Sequence, residues 1–405
     1  MLPSETRQNF KKESNPIFRE DLRSFFDMEE LNGKKRWVIQ DCLLRNPNDP
    51  VLLVSDSIKF IIEHLDGLHT FDQITGIVNS EFKGNISENK VRRLVNELDK
   101  MLFLENEKFL LKYNSLEKEI EKRGTYDHSW LDLYKKPELI EQAINSISLD
   151  QDSHHTILVP HAEHKISYSM AAQGIAMLRN QLEEDNPLII IGPNHVTPKV
   201  AGVFLGNKNF RTPMGDVEVD KKTIEYLKNL NPSIFKINNI IHQREHSIAL
   251  QIPFIRTLLP NQTKVIPIVI SFGEGDNWLE TIKEISYYIK DFFKEKKIRI
   301  LISGDLFHYS PLWIENLGDR EDKEMLLNSS QYIYNWDTTA LEKLSKGDLQ
   351  TFSKLGFLGR YCATAPIWLS WEILNLRRAG IISYSHIGDF IKDGNGVSCA
   401  LSYFE

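Results

Sequence analysis

Apolar residues recur with one period up to about residue 115 and with another beyond it. In the first part the spacing is helical. Ile58, Ile61, Ile62 and Leu65 share a face that stops at Asp66-Gly67. Ile74, Ile77 and Val78 mark a second helix, and Val91, Leu94, Val95 and Leu98 mark a third that begins after Ser87. Ahead of them Asp49-Pro50 breaks the chain and Val51 to Val54 reads as a short strand. Behind them Phe103-Leu104, a turn at Glu105-Asn106-Glu107, and Phe109-Leu110-Leu111 read as a small hairpin. Three helices and a hairpin are the outline of a winged helix, expected over 37–114 behind an N-terminal extension, 1–36.

A charged joint, Leu116 to Arg123, opens the remainder, 115–405, and is expected to lead into a helix from Pro137 to Ile147. From His155 on, near-continuous apolar runs alternate with helical stretches. The runs are Thr156 to Val159, Leu188 to Ile191, Val265 to Ile270 and Ile298 to Ile302. Strands covered on both faces read this way. The pattern predicts an α/β domain, a central sheet with helices on both faces. Pro267 inside the third run predicts an edge or a bulge there.

Composition narrows the partners. A length of 405 residues accommodates two domains, and a net charge of -7 gives no broad attraction to nucleic acid or an anionic membrane. The third predicted helix offers Lys90, Arg92, Arg93 and Lys100 against Glu88, Glu97 and Asp99, which argues against DNA binding. Met1 to Pro16 lacks the apolar core of a secretory signal, and no run approaches a spanning helix. Three cysteines, Cys42, Cys362 and Cys399, form no disulfide framework. A cytoplasmic location is the expectation.

Chemistry gathers at the strand ends. His161 and His195 each follow an apolar run by one or a few residues, and Ser303-Gly304-Asp305, with His308 close behind, ends another. In an open parallel sheet such ends share one crevice. Cys362 precedes Thr364-Ala365-Pro366, where Pro366 starts a helix striped with Ile367, Trp368, Trp371 and Leu374. The helix dipole there favours a thiolate, suited to a metal ligand or a nucleophile. Cys42 and Cys399 are expected to be inert. Ser247 is expected to cap a single helix carrying Ile248, Leu250, Phe254 and Leu258, mildly kinked by Pro253. Glu245 and His246 then stand at its mouth, as site residues or as structural caps.

From about Tyr126 onward the chain resembles the Memo family, in the branch called AmmeMemoRadiSam system protein B. The resemblance rests on Pro160-His161-Ala162, Gly192-Pro193-Asn194-His195, Arg211 to Asp216, and Glu245-His246-Ser247 with Ile252-Pro253-Phe254. It continues through Ser303-Gly304-Asp305 with His308-Tyr309, and Cys362 with Pro366-Ile367. About Trp37 to Lys112 resembles PqqD-like peptide-recognition domains, on His64 to Gly67 and Val95 to Leu104. The first resemblance implies the fold of class III extradiol dioxygenases and a metal held by His161, His195 and Cys362. It also implies nearby roles for Asp305 and His308 and a radical-SAM partner protein. The second implies a peptide gripped as an added strand.

A thiolate ligand points to iron, copper or zinc rather than magnesium or calcium. His308 is then the candidate general acid/base, with Asp305 orienting it or the substrate. Three readings stay open: a redox enzyme acting on a small or peptide-borne substrate, a metal-binding adaptor or metallochaperone, and a metal-dependent hydrolase. The family's usual glycine and aromatic after Pro-His-Ala are Glu163 and His164 here, and Val196 stands where a second histidine is common. These departures predict an altered cleft.

Overall fold

The computed structural model describes residues 15–27, 36–45, 51–148, 152–179, 187–198, 200–272, 278–294, 299–309, 330–388 and 396–405. The polar start before Asn15 and the Asp49-Pro50 break lie outside them. The chain divides into two compact units, Met1–Lys122 with Val196–Val200, and Arg123–His195 with Ala201–Glu405.

The first unit opens with an antiparallel sheet of β1 (Arg23–Asp27), β2 (Arg36–Gln40) and β3 (Leu52–Val54). The three expected helices follow as Asp56–Glu63, Phe71–Glu81 and Glu88–Lys100. Thr70 and Gln73 close a capping box at the second. Gly67 turns the chain at φ +80°, where a side chain would also strike Ile17. Ile61, Ile62, Leu65, Ile74, Val78, Val91, Val95 and Leu98 form the core with Leu22, Ile39, Phe103 and Leu104.

The hairpin expected at Phe103 to Leu111 is replaced by a helix, Glu107–Arg123. Asn106, read as a turn residue, is its cap: its side-chain oxygen accepts from the Phe109 N–H at 3.2 Å. Phe109 and Tyr113 are buried four residues apart, as is Ile120 further on, whereas Leu111 is 63% exposed. That is a period of 3.6, not 2. The charged joint is therefore the end of this helix, which stops at Gly124 (φ +72°). The Glu138–Asn145 helix forms separately, after β4 (Thr125–Asp127) and a single turn at Asp132–Lys135. Residues 15–27 are also no loose extension. Ile17 and Phe18 bridge to Asp66 and Leu104, and Arg19 is 1% exposed.

The second unit holds β5 (Thr156–Val159), β6 (Leu188–Pro193), β7 (Gly202–Leu205), β8 (Asn209–Arg211) and β9 (Phe235–Ile237). β10 (Val265–Ser271), β11 (Arg299–Ser303), β12 (His308–Tyr309), β13 (Ala379–Ile387) and β14 (Gly396–Phe404) complete it. Apart from the β4–β8 pair they make one nine-stranded sheet in the order β12-β14-β5-β11-β6-β10-β7-β9, with β13 on β14. β5, β11, β6 and β10 are mutually parallel. Their buried faces are covered by helices that include Lys165–Leu178 and Thr364–Leu374. Gly174 lets the former lie close, since a Cβ there would sit 2.5 Å from Val159. No helix among the described residues is long and apolar enough to cross a membrane.

Pro267 lies inside the sheet, against expectation, because β10 runs between β6 and β7. Its carbonyl accepts from the Gly206 N–H, and pairing with β7 begins only at Ile268. The missing N–H thus falls where that ladder ends, and costs nothing.

Two buried imidazoles make this unit acid-sensitive. His128 donates from Nε2 to the His242 carbonyl, and His242 donates from Nε2 to the Phe204 carbonyl. Burial pushes both down from the ordinary 6.5 to about 4. Below 6.5 the unfolded chain takes up protons that the folded one refuses, so stability present above 6.5 is lost as pH falls to 4. The loss is on the order of 3 kcal/mol per imidazole. Urea unfolding at pH 7 and at pH 4.5 is expected to show it as a lower midpoint in acid.

Candidate metal centre

β5, β11 and β6 are neighbours and parallel, so their carboxyl ends lie along one sheet edge about 4.8 Å apart. Each carries a site residue two positions past its end: His161, Asp305 and His195. Cys362 comes to the same place from the turn before the Thr364–Leu374 helix. The Asp305 N–H donates to its Sγ at 3.2 Å, and the Ala363 N–H donates to the Asp305 carbonyl at 3.3 Å. Gly304 permits this, for a Cβ there would stand 2.8 Å from the Ala363 Cα. One ligand atom each of His161, His195 and Cys362 lies within 4.8 Å of the others. The Cys362 Sγ is 3.5 Å from His161 Nε2. Asp305 and His308 form a second group with Cys362, and Glu245 and His246 form a third with His195. All seven residues singled out from sequence are thus brought together.

Hydrogen bonding fixes which ring nitrogen each histidine presents. The Ser303 hydroxyl has one hydrogen, given to the Ser247 carbonyl at 2.6 Å. It accepts from Gln251 Nε2 at 3.0 Å, so it must also accept from His161 Nδ1 at 3.1 Å. The Nε2 lone pair of His161 is left facing Cys362. His195 places Nδ1 2.9 Å from the Glu245 carboxylate, and His308 places Nδ1 3.0 Å from the Leu306 carbonyl. Both partners are acceptors, so both rings donate from Nδ1 and carry their lone pair on Nε2. A ligating histidine is ordinarily oriented in this way.

Burial disfavours charge on these groups. Burial, then the neighbouring His195, hold His161 well below its ordinary range, which keeps the imidazole neutral as a ligand must be. Burial pushes the Asp305 carboxyl up, opposed by His308 and by N–H groups of His161 and Ala162. Burial and then Asp305 push the Cys362 thiol well up, against the dipole-based expectation. Without a cation the helix end loses to desolvation; a coordinated metal reverses that balance. Two imidazole nitrogens and one thiolate suit iron, copper or zinc.

The Glu245 segment departs from expectation in its cap and its length. Glu245 itself, 1% exposed, caps the His246–Ala249 helix by accepting from the Ser247 N–H at 2.9 Å. A second helix, Ile252–Leu258, starts afresh with Pro253 in its first turn. The proline therefore begins a helix rather than kinking one. The same carboxylate accepts from the His195 N–H at 2.6 Å, and the His246 ring packs on His195 with centroids 4.6 Å apart. Glu245 is thus a positioning group. Glu245→Gln is expected to weaken metal binding by about 10- to 100-fold, because an amide cannot accept on both sides. Zinc titration calorimetry checks it.

Glu163 and His164, the two departures after Pro-His-Ala, are helix caps. Glu163 accepts from the Asp132 N–H, and His164 Nδ1 accepts from the Ile166 N–H at 3.2 Å. Val196 is buried. Sequence reasoning missed Ser303 and Gln251, which orient His161, and Cys399, whose thiol lies 3.9 Å from Asp305 Oδ1. Ser303 was within sight, adjoining the motif at a strand end. Gln251 carried no signal.

Residues 132–402 match the family of Memo-like proteins. The chain belongs to the Memo family. It is 34% identical over 252 residues to a MEMO1 family protein of Methanocaldococcus jannaschii, covering 60% of this chain and 80% of that one. A MEMO1 family protein of Methanosarcina barkeri is 26% identical over 264 residues, covering 64% and 89%. One from Aquifex aeolicus is 25% identical over 290 residues, covering 69% and 73%. All seven site residues of this Memo chain fall inside the matched segment.

Proposed function

We propose that this Memo chain is a metal-dependent redox enzyme in which His161, His195 and Cys362 hold iron or copper. The observation that carries the reading is the convergence of His161, His195 and Cys362, one ligand atom of each lying within 4.8 Å of the others, with Nδ1 of both rings engaged by Ser303 and Glu245. Such a metal would supply one-electron chemistry, as in the related class III extradiol dioxygenases. His195, His246, His308 and Cys362 are each only half-buried, which leaves room for a substrate beside the ligands. His308, with Nδ1 tied to Leu306, would take or give a proton at Nε2 as the general acid/base. Asp305, whose Oδ1 accepts from the His161 N–H at 3.0 Å, holds the His161 loop and orients the site. Glu245 and His246 fix His195.

The substrate in this reading is a small molecule or a peptide-borne group, and a radical-SAM protein is the partner. The first unit serves as a PqqD-like peptide holder, in which an added strand extends the β1–β2–β3 sheet. The partly exposed site favours an enzyme over a closed metal store. Zinc on the same three residues would favour a metal-dependent hydrolase instead. The test is metal analysis of anaerobically purified protein, followed by oxygen uptake with the product of the radical-SAM partner. Stoichiometric iron or copper with substrate-dependent uptake supports the proposal. Zinc with hydrolytic turnover moves it to the hydrolase, and tightly held metal without any turnover moves it to a metallochaperone or adaptor.

A further inference from the structure

Asp337 stands midway along the Ser330–Ser345 helix with no exposed surface. Three hydroxyls surround its carboxylate. Oδ1 accepts from the Tyr361 phenol, and Oδ2 accepts from Ser398 Oγ and the Tyr384 phenol, each at 2.6 Å. Burial pushes the carboxyl up to about 6 while the three hydroxyls oppose it.

Two of the donors stand behind the metal centre. Tyr361 immediately precedes Cys362. Ser398, on β14, grips the segment between Asp305 and His308: its Oγ accepts from the Phe307 N–H at 2.7 Å, and its N–H donates to the Phe307 carbonyl at 2.8 Å. Because Ser398 Oγ accepts there, its single hydrogen is directed to Asp337. The two loops are also joined directly, through the His308 N–H and the Gly359 carbonyl at 2.9 Å. Between them Arg360 holds a left-handed φ of +54°. A residue other than glycine keeps that conformation only where its surroundings over-determine it. The anchored Tyr361 ring next to it supplies such a restraint.

We infer that Asp337 is a positioning residue for the metal centre, setting through Tyr361 and Ser398 where Cys362 and His308 stand. The inference rests on the metal-centre reading above and adds a group that belongs to none of the candidate ligand sets.

The test is cobalt(II) titration of the full chain, read by the thiolate-to-cobalt charge-transfer band. Asp337→Asn keeps the size of the side chain but cannot accept from all three hydroxyls, since its NH₂ replaces one oxygen. It is expected to bind cobalt about 10- to 100-fold more weakly and to displace the band. Tyr361→Phe should act in the same direction by less, and the double variant should fall short of the sum. Tyr126→Phe removes another buried hydroxyl, bonded to Asn239, and is expected to leave the band where it is. Wild-type affinity and an unmoved band in Asp337→Asn overturn the inference, as does an equal displacement in Tyr126→Phe. Should Asp337→Asn fail to fold, an unmoved band and affinity in Tyr361→Phe overturn it. A wild-type chain with no thiolate band sinks the metal-centre reading itself, and this inference with it.

Discussion

Cys362→Ala is expected to strip the metal from the protein and abolish activity, whereas His308→Ala is expected to keep the metal and lose turnover alone. Cys362 contributes the only thiol to the ligand set, and its Sγ lies 3.5 Å from His161 Nε2. Removing it leaves two imidazoles, so the loss in affinity should exceed the roughly 10- to 100-fold that follows from disturbing a residue behind the ligands. His308 is anchored by its own Nδ1 to Leu306, and none of the ligands His161, His195 and Cys362 depends on that bond. A positioned acid/base contributes about 10² to 10⁴ in rate. Metal stoichiometry and activity measured on the same purified variants separate the two. Equal metal loss from both would make His308 a ligand. Full activity in both would refute the catalytic reading.

Arg19→Ala is expected to cost the first unit about 3 to 5 kcal/mol, as breaking a buried ion pair usually does. The guanidinium meets Asp21 through Nε at 3.1 Å and Nη2 at 2.5 Å, and Asp41 through Nη1 at 2.7 Å and Nη2 at 3.1 Å. It also donates to the Leu102 carbonyl at 2.8 Å and lies 4.1 Å above the Phe109 ring. Alanine would leave two largely buried carboxylates without their cation. Lysine would restore the charge but not the paired contacts to both acids, so it should rescue only in part. Urea unfolding followed by limited proteolysis of the first unit measures both variants. A midpoint unchanged in Arg19→Ala would show that the triad contributes nothing net.

Arg19 also shows where sequence reading stops. Nothing near it is periodic, and residues 1–36 read as an extension, because its partners Asp41, Leu102 and Phe109 are far along the chain. The lost hairpin has a related cause. Phe103-Leu104 and Phe109-Leu110-Leu111 fit alternation as well as helical spacing over so short a run. Only the burial of Phe109, Tyr113 and Ile120 along one helix decides it. Pro267 is a third case, since whether proline suits an interior strand depends on where the neighbouring ladder ends.

By itself the sequence determined the four parallel strands β5, β6, β10 and β11 of the second unit, because runs such as Leu188 to Ile191 are apolar at every position and can only be covered on both sides. It also determined the chemistry at their ends, where histidine and aspartate follow directly on those runs, and the three helices between Ser55 and Lys100. The tertiary structure alone decided that β5, β11 and β6 lie side by side, which is a matter of long-range pairing and not of local pattern. That order is what brings His161, Asp305 and His195 to one edge and the Cys362 turn against them. It decided as well which nitrogen each histidine offers. A tautomer is set by a hydrogen-bond partner, and Ser303, Glu245 and Leu306 become partners only once the strands and turns have packed.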